Sequence, residues 1–168
     1  MQSLFADGFI KYTMTSNPQK THFRFMGAYE EIIPESIDFM KWSLSDTGFQ
    51  FELAKEIPVA IARHLSAFIA RLCLKTNTDI SILKNALFAV HPGGPKILDY
   101  VQKWLHLDDE QLKDSREILK NYGNMSSATL PHIWQKMLEK PVLSSNTIVC
   151  LAFGPGLTLA GAILERID

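Results

Sequence analysis

The stretch "LFAVHPGGPKIL", Leu87 to Leu98, ends an apolar run on a histidine and then turns through two prolines and two glycines. An imidazole at the end of a buried strand can donate or accept a proton, and a bare Gly-Gly turn beside it lets a ligand or another backbone come close. Histidines at strand ends are commonly satisfied structural residues, but Pro92-Gly93-Gly94-Pro95 does little for packing, which favours a working role for His91. About thirty residues later, "NYGNMSSA" sets Asn124 between Gly123 and two serines. Taken alone this is a helix-helix corner. As chemistry, a fixed amide N–H there can donate to a developing oxyanion. A third loop, "LAFGPGLTLAG", carries Gly154, Gly156 and Gly161 and invites comparison with a dinucleotide fingerprint. That comparison fails on length: the fingerprint needs a helix, a second strand and an acid about twenty residues on, and only twelve residues follow Gly156.

The elements that must hold these loops follow from hydrophobic periodicity. "THFRFMGAYEEII", ending at Pro34, reads as a strand, and "TGFQFEL" alternates Phe49, Phe51 and Leu53 as a short half-buried strand. From Pro58 the period changes, and Ile57, Ile61, Leu65, Phe68, Ile69 and Leu72 mark an amphipathic helix over roughly 57–74. "ALFAVH" suits a strand buried on both faces. Ile97, Leu98, Val101, Trp104 and Leu105 mark one helix, and Leu112, Leu119 and Tyr122 another that stops at Gly123. Ser126 or Ser127 can cap a further helix through Met137 and Leu138, with Pro131 near its first turn. "NTIVCLAF" and "LTLAGAILERI" close the chain as two strands around "GPG", expected to form an antiparallel edge. Strands alternating with helices make an α/β layered domain.

Composition narrows the function classes. The 168 residues fit one domain, and 46% hydrophobic content is enough for a core. Acidic and basic residues nearly cancel at net charge −1, with no Lys/Arg run, so neither nucleic acid nor an anionic membrane is favoured as a partner. No unbroken apolar stretch reads as a membrane span, and the opening "SLFADGFIKYTM" reads at once as strand, turn and strand, so the beginning of the protein is expected to lie elsewhere. Cys73 and Cys150 lie in apolar segments without a CxxC spacing, so no disulfide framework and no metal site is expected. A reducing, cytoplasmic setting fits best.

Together the loops resemble one family, the chalcone and stilbene synthases, or type III polyketide synthases, of the thiolase-like superfamily. "HPGGP" followed by "IL", "YGNMSSA", "FGPGLT", "TGFQFELAKEIP" and "LFADG" all match family stretches, in order and at family spacing over nearly the whole chain. The resemblance implies one half of a thiolase-like layered fold, a mixed sheet with helices packed on it. Residues 1–16 would be closing strands of the first half, and residues 17–168 the C-terminal domain. It also implies acyl transfer, in which a cysteine is loaded from an acyl-CoA starter, malonyl-CoA is decarboxylated to an enolate, and the two condense. Coenzyme A thioesters are then substrates, and no further cofactor is expected.

On this resemblance His91 and Asn124 are the catalytic pair, two N–H donors for the charge that decarboxylation places on a thioester oxygen. His91 would also pair with a cysteine thiolate. Phe5 and Phe51 resemble the phenylalanines that gate the family's tunnel. Trp42 stands about where plant members carry a small cavity residue, and Ser126, Phe153, Gly154, Pro155 and Gly156 belong to the expected cavity wall. Gly93, Gly94 and Lys96 lie where coenzyme A is met. The nucleophilic cysteine belongs to the first half, and neither Cys73 nor Cys150 matches it, so the chain by itself is expected not to condense anything. Expected partners are the Cys-bearing N-terminal half and a second copy in a homodimer. The rival from another class is a non-catalytic standalone or remnant domain acting in self-association.

Overall fold

The computed structural model describes residues 4–168. Its centre is a four-stranded mixed sheet in the order β1-β6-β5-β4, formed by β1 (His22–Ile32), β4 (Leu87–Val90), β5 (Thr147–Gly154) and β6 (Thr158–Ile167). β4 runs parallel to β5, whereas β5–β6 and β6–β1 are antiparallel. The closing hairpin therefore does not form an edge: β6 is interior, because β1 returns to pair along its far side. A second, two-stranded sheet joins β2 (Met40–Ser45) to β3 (Gly48–Leu53).

Helix α1 (Ile57–Lys75) starts with Pro58 in its first turn and buries Ile61, Leu65, Phe68 and Leu72, three and four residues apart, against one face of the large sheet. Gly161 on β6 permits that contact, since a Cβ there would lie 2.9 Å from both Leu72 and Phe68. By length and composition α1 is also apolar enough to cross a membrane, although Arg63, His64 and Arg71 interrupt its apolar run. Its apolar stripe is nevertheless committed to the protein core. α2 (Pro95–Leu105) extends the same layer through Leu98 and Val101. α4 (Thr129–Glu139) covers the opposite face with Ile133 and Met137, over Ile148, Cys150 and Leu164.

α3 (Asp109–Tyr122) lies along the outer edge of β4 and satisfies it with side chains. The Ser115 hydroxyl accepts the Val90 N–H at 2.9 Å and donates to the Phe88 carbonyl at 3.2 Å, while the Gln111 amide donates to the Ala86 carbonyl at 2.7 Å. An edge strand that would otherwise expose unpaired groups is closed in this way.

Two local expectations are corrected. The strand-turn-strand expected within residues 1–16 is not formed. Residues 1–3 lie outside the described residues, and between Leu4 and Thr21 only Phe5 makes a bridge, parallel to Asn124. Among the described residues no strand runs beside the remainder to complete a ladder. The serines do not cap α4 either: a short 3-10 turn, Ser126–Ala128, precedes it, and the Thr129 hydroxyl accepts the Met125 N–H at 2.8 Å. Pro131 falls in the first turn of α4, where its missing N–H would have had no helical partner.

Candidate active site

His91 is placed by the strand before it. β4 is buried at every position, its ladder with β5 continues one step further as the His91 N–H donates to the Leu151 carbonyl at 2.7 Å, and the Gly93 N–H folds back on the His91 carbonyl at 3.0 Å. The chain then enters α2 with Pro95 at its first position. The imidazole makes no hydrogen bond among the described residues, and burial alone pushes its pKa down to about 4. At neutral pH it is an uncharged ring, able to donate from one nitrogen. The thiolate expected to pair with His91 belongs to the other half, and an anion placed there would oppose the effect of burial and raise the imidazole pKa.

Asn124 follows Gly123, which ends α3 with φ 75°. It is only 4% exposed. Its Oδ1 accepts the Ser126 N–H at 2.9 Å, an Asx turn that fixes which way the amide faces. With the oxygen occupied, Nδ2 is left as the free end, and it has no partner among the described residues. The orientation of the donor is thus set by one backbone N–H two residues on.

Both side chains open on one cavity of about 510 Å³. Its wall includes Phe5, Trp42, Phe51, Ser126, Phe153 and Pro155, with Gly93, Gly94 and Lys96 at the α2 end. Gly154 and Gly156, expected on the wall, do not line it. They form the β5–β6 turn, where Gly156 takes φ 123° and a Cβ would meet the Thr158 hydroxyl at 3.1 Å. Gly93 and Gly94 are different: neither has a left-handed φ, and an added Cβ would meet nothing closer than 3.6 Å. The chain's own packing therefore does not require glycine at either position. Lys96 is exposed, and no ion pair reaches it among the described residues.

The β2–β3 hairpin supplies the aromatic wall. In its register Met40 faces Leu53, Trp42 faces Phe51 and Leu44 faces Phe49, so one face of the ribbon is wholly apolar and the other carries Lys41, Ser43, Gln50 and Glu52. Trp42 stacks on Phe51 at 4.6 Å, and Phe5 meets Phe51 edge-on at 6.0 Å. Trp42 is 58% exposed, so within this chain it packs on the hairpin and not in the core. Sequence reading found Phe51 from the alternation in β3 but passed over β2, and with it Met40. The cue was the matching alternation of Met40, Trp42 and Leu44 across an Asp46-Thr47 turn.

The order of these loops along the chain and their meeting in one cavity fit the model of the chalcone and stilbene synthases, C-terminal domain, which matches residues 24–168. The chain belongs to that family. It is 33% identical over 177 aligned positions to type III polyketide synthase B of Arabidopsis thaliana, covering 99% of this chain and 45% of that protein. Among solved structures, it superposes on the C-terminal type III polyketide synthase domain of Steely1, a type I/III hybrid from Dictyostelium, with TM-score 0.80 and 31% identity, over 87% of this chain and 41% of the other. A fungal type III polyketide synthase gives TM-score 0.77 at 26% identity, over 86% and 41%. The chain therefore spans less than half the length of these relatives. Its fold is one α/β half of the thiolase-like architecture.

Neither cysteine of this family member lies on the cavity wall. Cys150 is buried in β5, where desolvation pushes its thiol up to about 12 although the Trp134 indole N–H donates to the sulfur at 3.2 Å. Cys73 is buried on α1 and raised by burial and by the charge of Asp79. A thiol held protonated in apolar surroundings is a poor nucleophile.

Proposed function

We propose that this chain is the C-terminal catalytic part of a type III polyketide synthase that condenses an acyl-CoA starter with malonyl-CoA. The observation that carries the reading is the pairing on one cavity of an uncharged, unbonded imidazole with an amide whose oxygen is already held by Ser126, so that both offer N–H donors. When a malonyl thioester loses carbon dioxide, the electron pair of the breaking C–C bond moves onto the thioester oxygen as an enolate. Two preorganised donors lower the cost of that charge without taking a proton. The enolate carbon then attacks an acyl thioester carried on a cysteine, and that thiolate leaves. As the family resemblance implies, the cysteine is assigned to a Cys-bearing N-terminal half; the buried, raised thiols of this chain fit that assignment. Residues 1–16 are assigned to that half, whose strands would supply the pairing neighbours that this chain by itself does not. The bare Gly93-Gly94 turn and the free ammonium of Lys96 suit the pantetheine and phosphates of coenzyme A, and homodimerisation in the cytoplasm completes the proposal.

The test is a fusion of this chain to the N-terminal part of Arabidopsis type III polyketide synthase B, the part that this chain does not span, supplied with malonyl-CoA and acyl-CoA starters. His91→Ala and Asn124→Ala should each lower malonyl-CoA decarboxylation about a hundredfold while the melting transition persists. Unchanged decarboxylation in a folded double variant would remove the pair from the mechanism. A second reading, a non-catalytic domain that self-associates, is favoured by exposed apolar side chains, among them Phe9 at 86% and Met14 at 81%. A fusion that folds but never condenses, beside a dimeric isolated chain, would decide for it.

A further inference from the structure

Asn124 is anchored on both sides by the same short segment. Its N–H donates to the Leu4 carbonyl at 2.8 Å, and its carbonyl accepts the Ala6 N–H at 3.0 Å, so that Phe5 and Asn124 form a parallel bridge. With Ser126 on the side-chain oxygen, every hydrogen-bonding group of this buried residue is engaged except Nδ2. Gly123 makes the approach possible: a Cβ there would stand 3.0 Å from the Leu4 carbonyl oxygen and 3.3 Å from the Ala6 Cβ. Further along, Gly8 presses on Met125, where an added Cβ would come within 2.6 Å of the Met125 Cβ. Between the two anchor points the Phe5 ring turns into the cavity and meets Phe51 edge-on.

We propose that Leu4–Ala6 is a positioning strap that sets the Asn124 donor and couples it to the aromatic wall of the cavity. The inference rests on the reading of Asn124 as an oxyanion donor. Asn124 lies between the end of α3 and a 3-10 turn, outside any helix or strand ladder, so its backbone position depends on the strap. An acyl chain that displaces the Phe5 ring moves a residue whose two neighbours hold the Asn124 peptide groups. A reacting or stabilising group misplaced by about 1 Å costs on the order of a hundredfold in rate. The wall that meets the substrate and the donor that acts on it are therefore one mechanical unit.

Ala6→Pro tests this directly. It removes the N–H that bonds Asn124, changes an exposed side chain, and leaves Phe5 in the extended geometry that precedes a proline. Ala6→Gly keeps the N–H and serves as the conservative control, and Gly123→Ala pushes the strap from the other side. In the fusion described above, Ala6→Pro and Gly123→Ala should lower kcat for malonyl-CoA decarboxylation about tenfold or more, with KM within about twofold and Ala6→Gly unchanged. In the isotopically labelled chain, both should shift the Asn124 side-chain amide resonance. Retained kcat in both variants, or an equal loss in Ala6→Gly, would overturn the strap. Loss of the melting transition in both would overturn it too, since the segment would then serve the core and not the donor. If Asn124→Ala itself leaves decarboxylation unchanged, the donor reading fails. If Asn124→Ala abolishes it while the strap variants do not, only the strap falls.

Discussion

Ser115→Ala is the sharpest test of how α3 holds the strand that presents His91. The hydroxyl is wholly buried and serves two backbone groups of β4, accepting from Val90 N–H and donating to the Phe88 carbonyl. Alanine removes one oxygen, leaves almost no cavity, and strands both groups on the edge facing α3, where water does not reach. A buried group left without a partner costs about 1–3 kcal/mol; with the carbonyl at the lower end, the pair comes to about 2–4 kcal/mol. For a domain of this size about 2–4 °C of melting temperature accompanies each kcal/mol, so the midpoint should fall by about 4–16 °C. Differential scanning calorimetry on the isolated chain gives that number. A second readout ties the bond to the site: His91 lies one residue beyond Val90, and loosening β4 should admit water and move the imidazole pKa from about 4 back toward 6.5, followed by NMR titration. A midpoint unchanged within about 2 °C, with the His91 titration unmoved, would refute the claim that α3 side chains close this edge.

Stability should rise with pH between about 4 and 6.5, because across that window the unfolded chain binds a proton at residue 91 that the folded chain refuses. The contribution is fully present above 6.5, shrinks as pH falls toward 4, and amounts to at most about 3 kcal/mol; urea titrations should show His91→Gln with a flatter profile. Trp42→Gly should lower stability by about 1 kcal/mol, the worth of a half-exposed aromatic stack, whereas loss of a core tryptophan costs about 3–5 kcal/mol. In the fusion it should lengthen the polyketides seen by mass spectrometry, and unchanged products would remove Trp42 from chain-length control. Cys150 and Cys73, buried with raised thiol pKa values, should resist iodoacetamide at pH 8 until the chain unfolds. Rapid labelling of either in the folded chain would contradict their burial.

What the sequence determined by itself was whatever local period or local chemistry encodes. The three- and four-residue recurrence from Ile57 to Leu72 yields α1, the unbroken apolar run at Leu87–Val90 yields a strand buried on both faces, and Gly123 stops α3 where expected. The five ordered motifs gave the family, because a loop that faces a ligand constrains residue types one by one. Pairing partners were decided only in the tertiary structure. β1 lies beside β6, more than a hundred residues away along the chain, and this turned an expected edge into an interior strand. Hydrophobic alternation specifies that a strand buries one face but not which edge it meets. The opening strands show the converse: their pattern is extended, yet residues 6–20 form no ladder, because a strand needs a neighbour to receive its hydrogen bonds. The donors depend on the same distinction. That His91 and Asn124 are candidate donors could be read from their loops. That burial keeps the imidazole uncharged, that Ser126 turns the amide, and that Leu4 and Ala6 grip Asn124 from both sides are consequences of distances across the fold, which no spacing along the chain encodes.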